Sequence, residues 1–514
     1  MKKLALALML AIVAPLYAQQ PPPGIDAYVE KVMSTFQVPG VAVTIVKDGK
    51  VVLAKGYGVK KLGAADKVDD QTLFAIASNS KVFTATALGL LVEEGKVEWD
   101  APVIRYLPWF RLSDPYVTKE LTVRDLLVHR SGLGLGAGDL LWWPPSTYDR
   151  EEIARRLQYI PLATSFRSEY AYDNVLYLVA GLVIEKISGM SWEEFITKRI
   201  LEPVGMTGSR PGHSDIEKVA NAASPHAEVE GKVRPVAPFT SDNTNPAGGV
   251  VTNARDIAKW MQVNLDSGRI SQDRRLYKPT LTRELQAVVT PLRAGPAPAS
   301  LAPLGANFRG YGLGLFLSDY RGLKLVTHTG GLPGFVSKVT LIPQKRLGVA
   351  ILTNQESGEA FMALTHHILD HYLGANDTEW LQGFKDMRDE QNKRMADAEK
   401  KVEAERAKAG PSLSLEKYAG TYRDAWYGDV VIEVKEEKGT IRFARTPSLV
   451  GDLEHWQYDT FIARWHDREL RADAFVTFSL EPDGSIRDVR MKAVSPATDF
   501  SFDFQDLLLK PVKP

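Results

Sequence analysis

Cysteine is absent from the 514 residues. Without it there is no disulfide, no thiol nucleophile and no cysteine-linked lipid anchor, so stability must come from packing alone. An excess of one charge is missing too: 63 Lys and Arg balance 63 Asp and Glu, giving a formal net charge of zero. That balance argues against a nucleic-acid partner and against electrostatic attachment to an anionic membrane. No Gly-x-Ser-x-Gly occurs, so a nucleophile elbow of the α/β-hydrolase kind is not indicated. No phosphate-cradling Gly-rich loop ending in Lys-Ser or Lys-Thr occurs either. His366, His367 and His371 include an i, i+4 pair, but no Glu stands in the metalloprotease position between them. Neither a metal nor another cofactor is expected.

Long apolar runs are scarce, and the one near the N-terminus is short. Lys2 and Lys3 precede Leu4 to Val13, Pro15 breaks the run, and Leu16-Tyr17-Ala18 offers a small residue for cleavage. This is the layout of a secretory signal peptide over residues 1–18; the alternative is a retained anchor, for which the run is short. The expectation is a secreted or periplasmic protein with no membrane contact beyond export.

What the chain does contain is a composition of 44% hydrophobic and 25% charged residues, that of a globular protein, and a length that calls for two domains. "VAVTIVKDGKVVLAKGYG" (Val41 to Gly58) reads as a hairpin. A helical pattern runs from Thr72 to Glu94 and stops at Gly95. "YGLGLFLSDYRGLKLVTHTGG" and "SKVTLIPQKRLGVAILTN" read as adjacent strands. Strands at both ends of residues 24–375 with helices between them predict an α+β domain: one antiparallel sheet flanked by helices, with a helical lobe inserted. Residues 376–411 read as a charged, solvated helical linker, ended by Gly410-Pro411. Residues 412–514 are a series of short strands, predicted to form a small antiparallel β-barrel.

The candidate chemistry begins at "FAIASNSKVFTATALGLLVEEG", where Ser78 and Lys81 stand three apart. On a helix such positions share a face, so the amine can reach the hydroxyl. A serine needs a neighbouring base, and a lysine can serve when burial or nearby positive charge leaves it neutral part of the time. Ser-x-x-Lys alone is weak: Ser414 to Lys417 is a second copy. Its company carries the weight. Tyr172-Asp173-Asn174 is the only Tyr-x-Asn, placing a proton-relaying hydroxyl and an amide ahead of an apolar helix. His328-Thr329-Gly330-Gly331 ends a strand, where small residues allow close approach and a backbone N–H can face an oxyanion.

In this order the three motifs resemble the serine β-lactamase and penicillin-binding protein superfamily, and within it the class C β-lactamase-related, peptidase S12-like branch. "LTVRDLLVHRSGLG", "ILEPVGMTGS" and "PAGGVVTNARDIAKWM" resemble that branch as well, and the C-terminal part resembles the β-barrel that some members append. The resemblance implies an acyl-enzyme on Ser78. It implies that Lys81 and Tyr172 share the acid–base work, and that Asn174, His328, Thr329 and Gly330 contact substrate. The N–H groups of Ser78 and Gly331 are the implied oxyanion hole. One residue departs from the pattern: His328 stands where typical β-lactamases and penicillin-binding enzymes have Lys. A histidine is mostly neutral near pH 7, so a substrate carboxylate loses its cation. That shifts the expectation toward hydrolysis of esters or D-amino-acid peptides. A D-alanyl carboxypeptidase-like enzyme, a weak β-lactamase and a slowly deacylating sensor are the alternatives. The expected partner is a small molecule or short peptide, and any homo-oligomer is expected to form through the C-terminal domain.

Overall fold

In the computed structural model, which describes residues 20–404 and 406–512, the two β-branched runs form strands Gly40–Lys47 and Lys50–Gly58. Asp48 and Gly49 between them take φ of 52° and 78°, the left-handed pair that matches the strand twist of a tight hairpin. The expected signal peptide lies outside the described residues. The chain divides into two compact units, each assembled from separated stretches.

The first unit holds the described residues up to Val97, Met190–Phe239 and Gly248–Arg388. Its antiparallel sheet has eight strands in the order 50–58, 40–47, 347–353, 335–342, 323–332, 316–320, 309–311, 290–292. The two ends of the region 24–375 meet where strand 40–47 pairs with 347–353, Val43 opposite Ile351. Both strands are buried almost throughout because both faces are covered. On one face Val41, Val43, Ile45, Val349 and Ile351 share a core with three helices. Helix Ile25–Phe36 contributes Ile25, Val29, Val32 and Phe36, and helix Gly358–Leu373 contributes Phe361, Leu364 and Ile368. Helix Trp380–Ala404 adds only its first turns, through Trp380, Leu381 and Phe384. Each fully buried apolar side chain there contributes about 1.5–3 kcal/mol. Toward the other face, Thr44 donates to the Ala254 carbonyl at 3.0 Å, tying the sheet to helix Ala254–Leu265. Trp260 of that helix stacks on Phe83 of helix Lys81–Glu93 at 4.1 Å between centroids.

The second unit holds Glu98–Gly189, Thr240–Ala247 and the chain from Asp389 onward. The helical lobe is built around Val175–Ser188, whose residues 175–184 are all buried and which ends at Gly189 with φ of 72°. Eight antiparallel strands follow in the order 486–493, 474–480, 460–465, 450–457, 438–443, 428–435, 420–424, 510–511. An additional bridge between Val489 and Leu509 brings the last segment against strand 486–493, so the sheet curls into a nearly closed barrel. Val430, Ile441, Phe443, Val476 and Phe504 are among its buried side chains. The barrel does not stand apart from the helical lobe. Tyr148 donates to the Tyr427 carbonyl, Arg156 to the Trp426 carbonyl at 3.0 Å, and Arg445 pairs with Glu152 at 2.9 Å. Among the described residues no single helix is long and apolar enough to cross a membrane.

One sequence expectation needs correction. The helical pattern starts at Thr72 on paper, but the α-helix begins only at Lys81. Phe74–Ala75 is a short strand paired with Val251–Thr252, and Ala77 takes φ of 47° before a 3-10 turn over Ala77–Ser80. A non-glycine residue in the left-handed region is costly and survives where surroundings hold it.

Candidate active site

The turn that carries Ser78 is held from three sides. Asn79 donates to Ser337 Oγ at 2.8 Å, and Ser337 Oγ donates to the Ile76 carbonyl at 2.8 Å, so one hydroxyl of strand 335–342 grips both flanks. Ser80 Oγ accepts from the Val250 N–H at 2.9 Å, and the Ile76 N–H bonds the Val250 carbonyl at 3.1 Å. These fully buried bonds keep the turn in its unusual shape. Ser78 is the one member of Ala77–Ser80 that reaches the surface.

Lys81 opens the helix and is wholly buried, yet its Nζ lies 3.1 Å from Ser78 Oγ. Spacing of three residues across a 3-10 to α junction achieves this contact. A hydroxyl beside a desolvated amine is the arrangement that general-base activation requires.

Strand Leu323–Leu332 runs next to the turn, and its glycines differ in purpose. A Cβ on Gly330 would lie 2.1 Å from the Ile76 carbonyl oxygen and 2.7 Å from Ser337 Oγ, so only glycine lets the strand approach the turn that carries Ser78. A Cβ on Gly331 would meet nothing within 4 Å. From sequence, both read as room for a ligand. The structure leaves open space beside Gly331 and makes Gly330 a packing requirement of the protein itself. Thr329 is part-exposed, opposite Lys338 in the ladder.

His328 is 2% exposed, and its ring is engaged on both sides. Nδ1 stands 2.5 Å from the Thr329 carbonyl, and Nε2 stands 2.9 Å from the Tyr311 hydroxyl. A carbonyl can only accept, so Nδ1 carries hydrogen; a neutral ring then takes the Tyr311 proton at Nε2. Tyr311, wholly buried, was not among the residues the sequence singled out, and no local motif marks it.

Tyr172 and Asn174 belong to the second unit. Tyr172 is part-exposed, its carbonyl accepts from the Gly136 N–H at 2.9 Å, and its ring lies 4.3 Å from the His129 ring. Asn174 precedes helix Val175–Ser188, but its side chain does not cap it. Its amide donates to Asp139 Oδ2 at 2.8 Å instead. Asp139 is buried and also accepts from Trp142 Nε1 at 2.9 Å and from Ser501 Oγ at 2.9 Å. Asp139 fixes the Asn174 amide, a role invisible in "GLGAGDLLWW" because its partners lie 35 and 362 residues away.

The histidines set aside as metal ligands are accounted for by packing. His366 Nδ1 lies 2.8 Å from the Met362 carbonyl, and burial pushes this imidazole down to about 3. His367 stacks on Tyr28 at 3.7 Å. Among the described residues no cluster of His, Asp and Glu is placed to hold a metal.

Comparison with known proteins adds family to geometry. Residues 25–373 match the family model described as "Beta-lactamase", and residues 404–511 match a domain of unknown function, DUF3471. An unguisins hydrolase, ungD, from Aspergillus violaceofuscus is 27% identical over 90% of this chain and 86% of its own length. Protein flp from Staphylococcus aureus is 26% identical over 70% of this chain and 69% of its own. Among solved structures, the octameric penicillin-binding protein homologue from Pyrococcus abyssi aligns with a TM-score of 0.60 and 25% identity, covering 95% of this chain and 99% of that one. A class C beta-lactamase mutant aligns with a TM-score of 0.56 and 19% identity over 68% of this chain and 96% of that one.

Proposed function

This chain belongs to the beta-lactamase family, and from that premise we propose that it is an exported serine hydrolase working through an acyl-enzyme on Ser78. The observation that carries the reading is the 3.1 Å approach of buried Lys81 Nζ to Ser78 Oγ on a turn locked by Ser337 and Val250. In the proposed course, the neutral Lys81 amine takes the hydroxyl proton as Ser78 Oγ bonds to the substrate carbonyl carbon. The N–H groups of Ser78 and Gly331 receive the oxyanion, a contribution of about 3 kcal/mol per donor. Collapse breaks the bond to the leaving group, which departs with a proton returned by Lys81 and Tyr172. Water then adds to the ester, and the acid product leaves with Ser78 regenerated. Asn174, held by Asp139, orients substrate.

The substrates proposed are esters or D-amino-acid peptides. A ring at position 328 bonded to Tyr311 and the Thr329 carbonyl supports this, since as a neutral group it offers no cation to a substrate carboxylate. The relative named as an unguisins hydrolase supports hydrolysis, whereas the penicillin-binding protein homologue supports penicillin binding. Export rests on Lys2, Lys3 and the run Leu4 to Val13. Homo-oligomerisation through the C-terminal domain is part of the proposal, in keeping with the octameric homologue, and light scattering after size exclusion tests it.

Intact-protein mass spectrometry with a fluorophosphonate and with penicillin tests the nucleophile. Wild type is expected to gain the fluorophosphonate mass and Ser78→Ala to gain none. An adduct that persists in Ser78→Ala overturns the assignment. Rapid nitrocefin turnover without cleavage of p-nitrophenyl acetate or butyrate overturns the substrate class. A lasting penicillin adduct makes the protein a slow-deacylating binder.

A further inference from the structure

The last loop of the β-barrel domain is docked on the segment that carries Asn174's partner. Asp503 is wholly buried and accepts from the Gly138 N–H at 2.7 Å and the Leu140 N–H at 2.9 Å. Two residues earlier, Ser501 donates to Asp139 Oδ2 at 2.9 Å, the same oxygen that receives the Asn174 amide. Asp499 in turn accepts from the Ser501 N–H at 2.9 Å, closing the loop on itself. Burial and the neighbouring Asp139 push the Asp503 carboxyl well above the usual range, so this junction is kept although it is costly.

Between these anchors stands Phe500. Its ring meets Tyr172 edge to face, 6.0 Å between centroids and 88° between planes. It rests over Gly136, where φ is 69° and where a Cβ would come within 2.8 Å of both the Phe500 ring and its carbonyl oxygen. The notch is one that a side chain at 136 would fill. Although gripped on that side, Phe500 is 41% exposed, and Leu135 beside the notch is 53% exposed. A ring that is anchored by its neighbours yet open on one face is a surface for another flat apolar group.

We propose that residues 499–504 form a specificity strap, in which Phe500, set against Tyr172 and the Gly136 notch, receives a flat apolar acyl group of the substrate. The assignment rests on the role proposed for Tyr172, and it gives the DUF3471 region a part in substrate choice. Ser501 and Asp503 hold the strap and do not touch substrate. The part-exposed Phe500 fixes which acyl groups are preferred, while the amine of Lys81 fixes whether any are cleaved.

The test is the ratio of kcat/KM for p-nitrophenyl phenylacetate to that for p-nitrophenyl acetate, measured on full-length wild type, Phe500→Ala and Phe500→Tyr. Phe500→Ala is expected to lower the ratio roughly three- to tenfold, the worth of one aromatic contact, with the change in KM for the phenylacetate. Phe500→Tyr, which keeps the ring, is expected to restore the ratio. Thermal melting of each variant confirms that the fold is kept, and the ratio is insensitive to the fraction of active protein. A ratio in Phe500→Ala equal to that of wild type overturns the strap. Fluorophosphonate labelling of Ser78 in the same wild-type sample separates the two claims. No label overturns the acyl-enzyme reading, whereas a label with an unchanged ratio overturns only the strap.

Discussion

Two Ser-x-x-Lys tetrads occur in this chain, and both involve a 3-10 turn, over Ala77–Ser80 in one and Leu415–Tyr418 in the other. In each, a 3-10 turn lets the lysine N–H bond the serine carbonyl: Lys81 to Ser78 and Lys417 to Ser414. Their surroundings differ. Ser414 and Lys417 are both exposed, whereas Lys81 is wholly buried with its amine on Ser78 Oγ. Spacing is common to both pairs, and burial of the lysine against the serine hydroxyl belongs only to the first. A third lysine separates burial from function. Lys338 is buried too, its Nζ 3.2 Å from Thr327 Oγ1, and desolvation pushes it down to about 8. It carries no proposed catalytic role.

The largest effect that would break the comparison is at the two serines. Ser78→Ala should lower ester kcat/KM by about 10⁴-fold or more. Ser414→Ala should leave it unchanged, and an equal loss in both would erase the distinction. Next, Lys81→Met should cost about 10²–10⁴-fold in kcat, with no loss in Lys417→Met. Steady-state kinetics on p-nitrophenyl butyrate measures both pairs.

A smaller effect sharpens the role of close approach. Gly330→Ala should push the strand from Ile76 and displace Ser78, costing about 10²-fold in kcat. Gly331→Ala, with open space around it, should cost much less. Fluorophosphonate labelling rates distinguish the two without a substrate-specific step.

The smallest effect appears in stability. The folded Lys338 releases its proton near pH 8, while the unfolded chain holds it to about 10.5. Between those values the unfolded state binds more protons, so stability rises with pH. Lys338→Met should therefore stabilise the fold by roughly 1–3 kcal/mol below pH 8. The gain should fade as the pH approaches 10.5, with activity unaffected. Urea melts from pH 6 to pH 10 follow this directly, and a gain that grew with pH would contradict the buried-amine account.

Much of this was legible from local pattern. Lys-Asp-Gly-Lys gave its hairpin, and the paired β-branched runs at 41–58 and 337–354 gave a sheet closed by the chain ends. Ser78, Lys81 and the 328–331 strand end stood out by residue type. The turn before Lys81 did not, since strand Phe74–Ala75 depends on a partner at Val251–Thr252, far along the chain. His328 stood out as a substrate contact, but its burial and its bond to Tyr311 carried no local signal. Asp139 and Phe500 carried no signal, because the contacts that give them meaning are with residues 35 to several hundred positions away.

The bond from the Gly138 N–H to Asp503 spans 365 residues, which sets an order of events during synthesis. At about 5–20 residues per second, the loop around Asp139 waits roughly 20–70 s for the segment that completes it. A chain that stops short of Asp503 retains Ser78 and Lys81 but leaves the Gly138 and Leu140 amides without their acceptor. The stretch around Asp503 thus serves as a completeness check: the second unit is finished only by a chain translated past that residue.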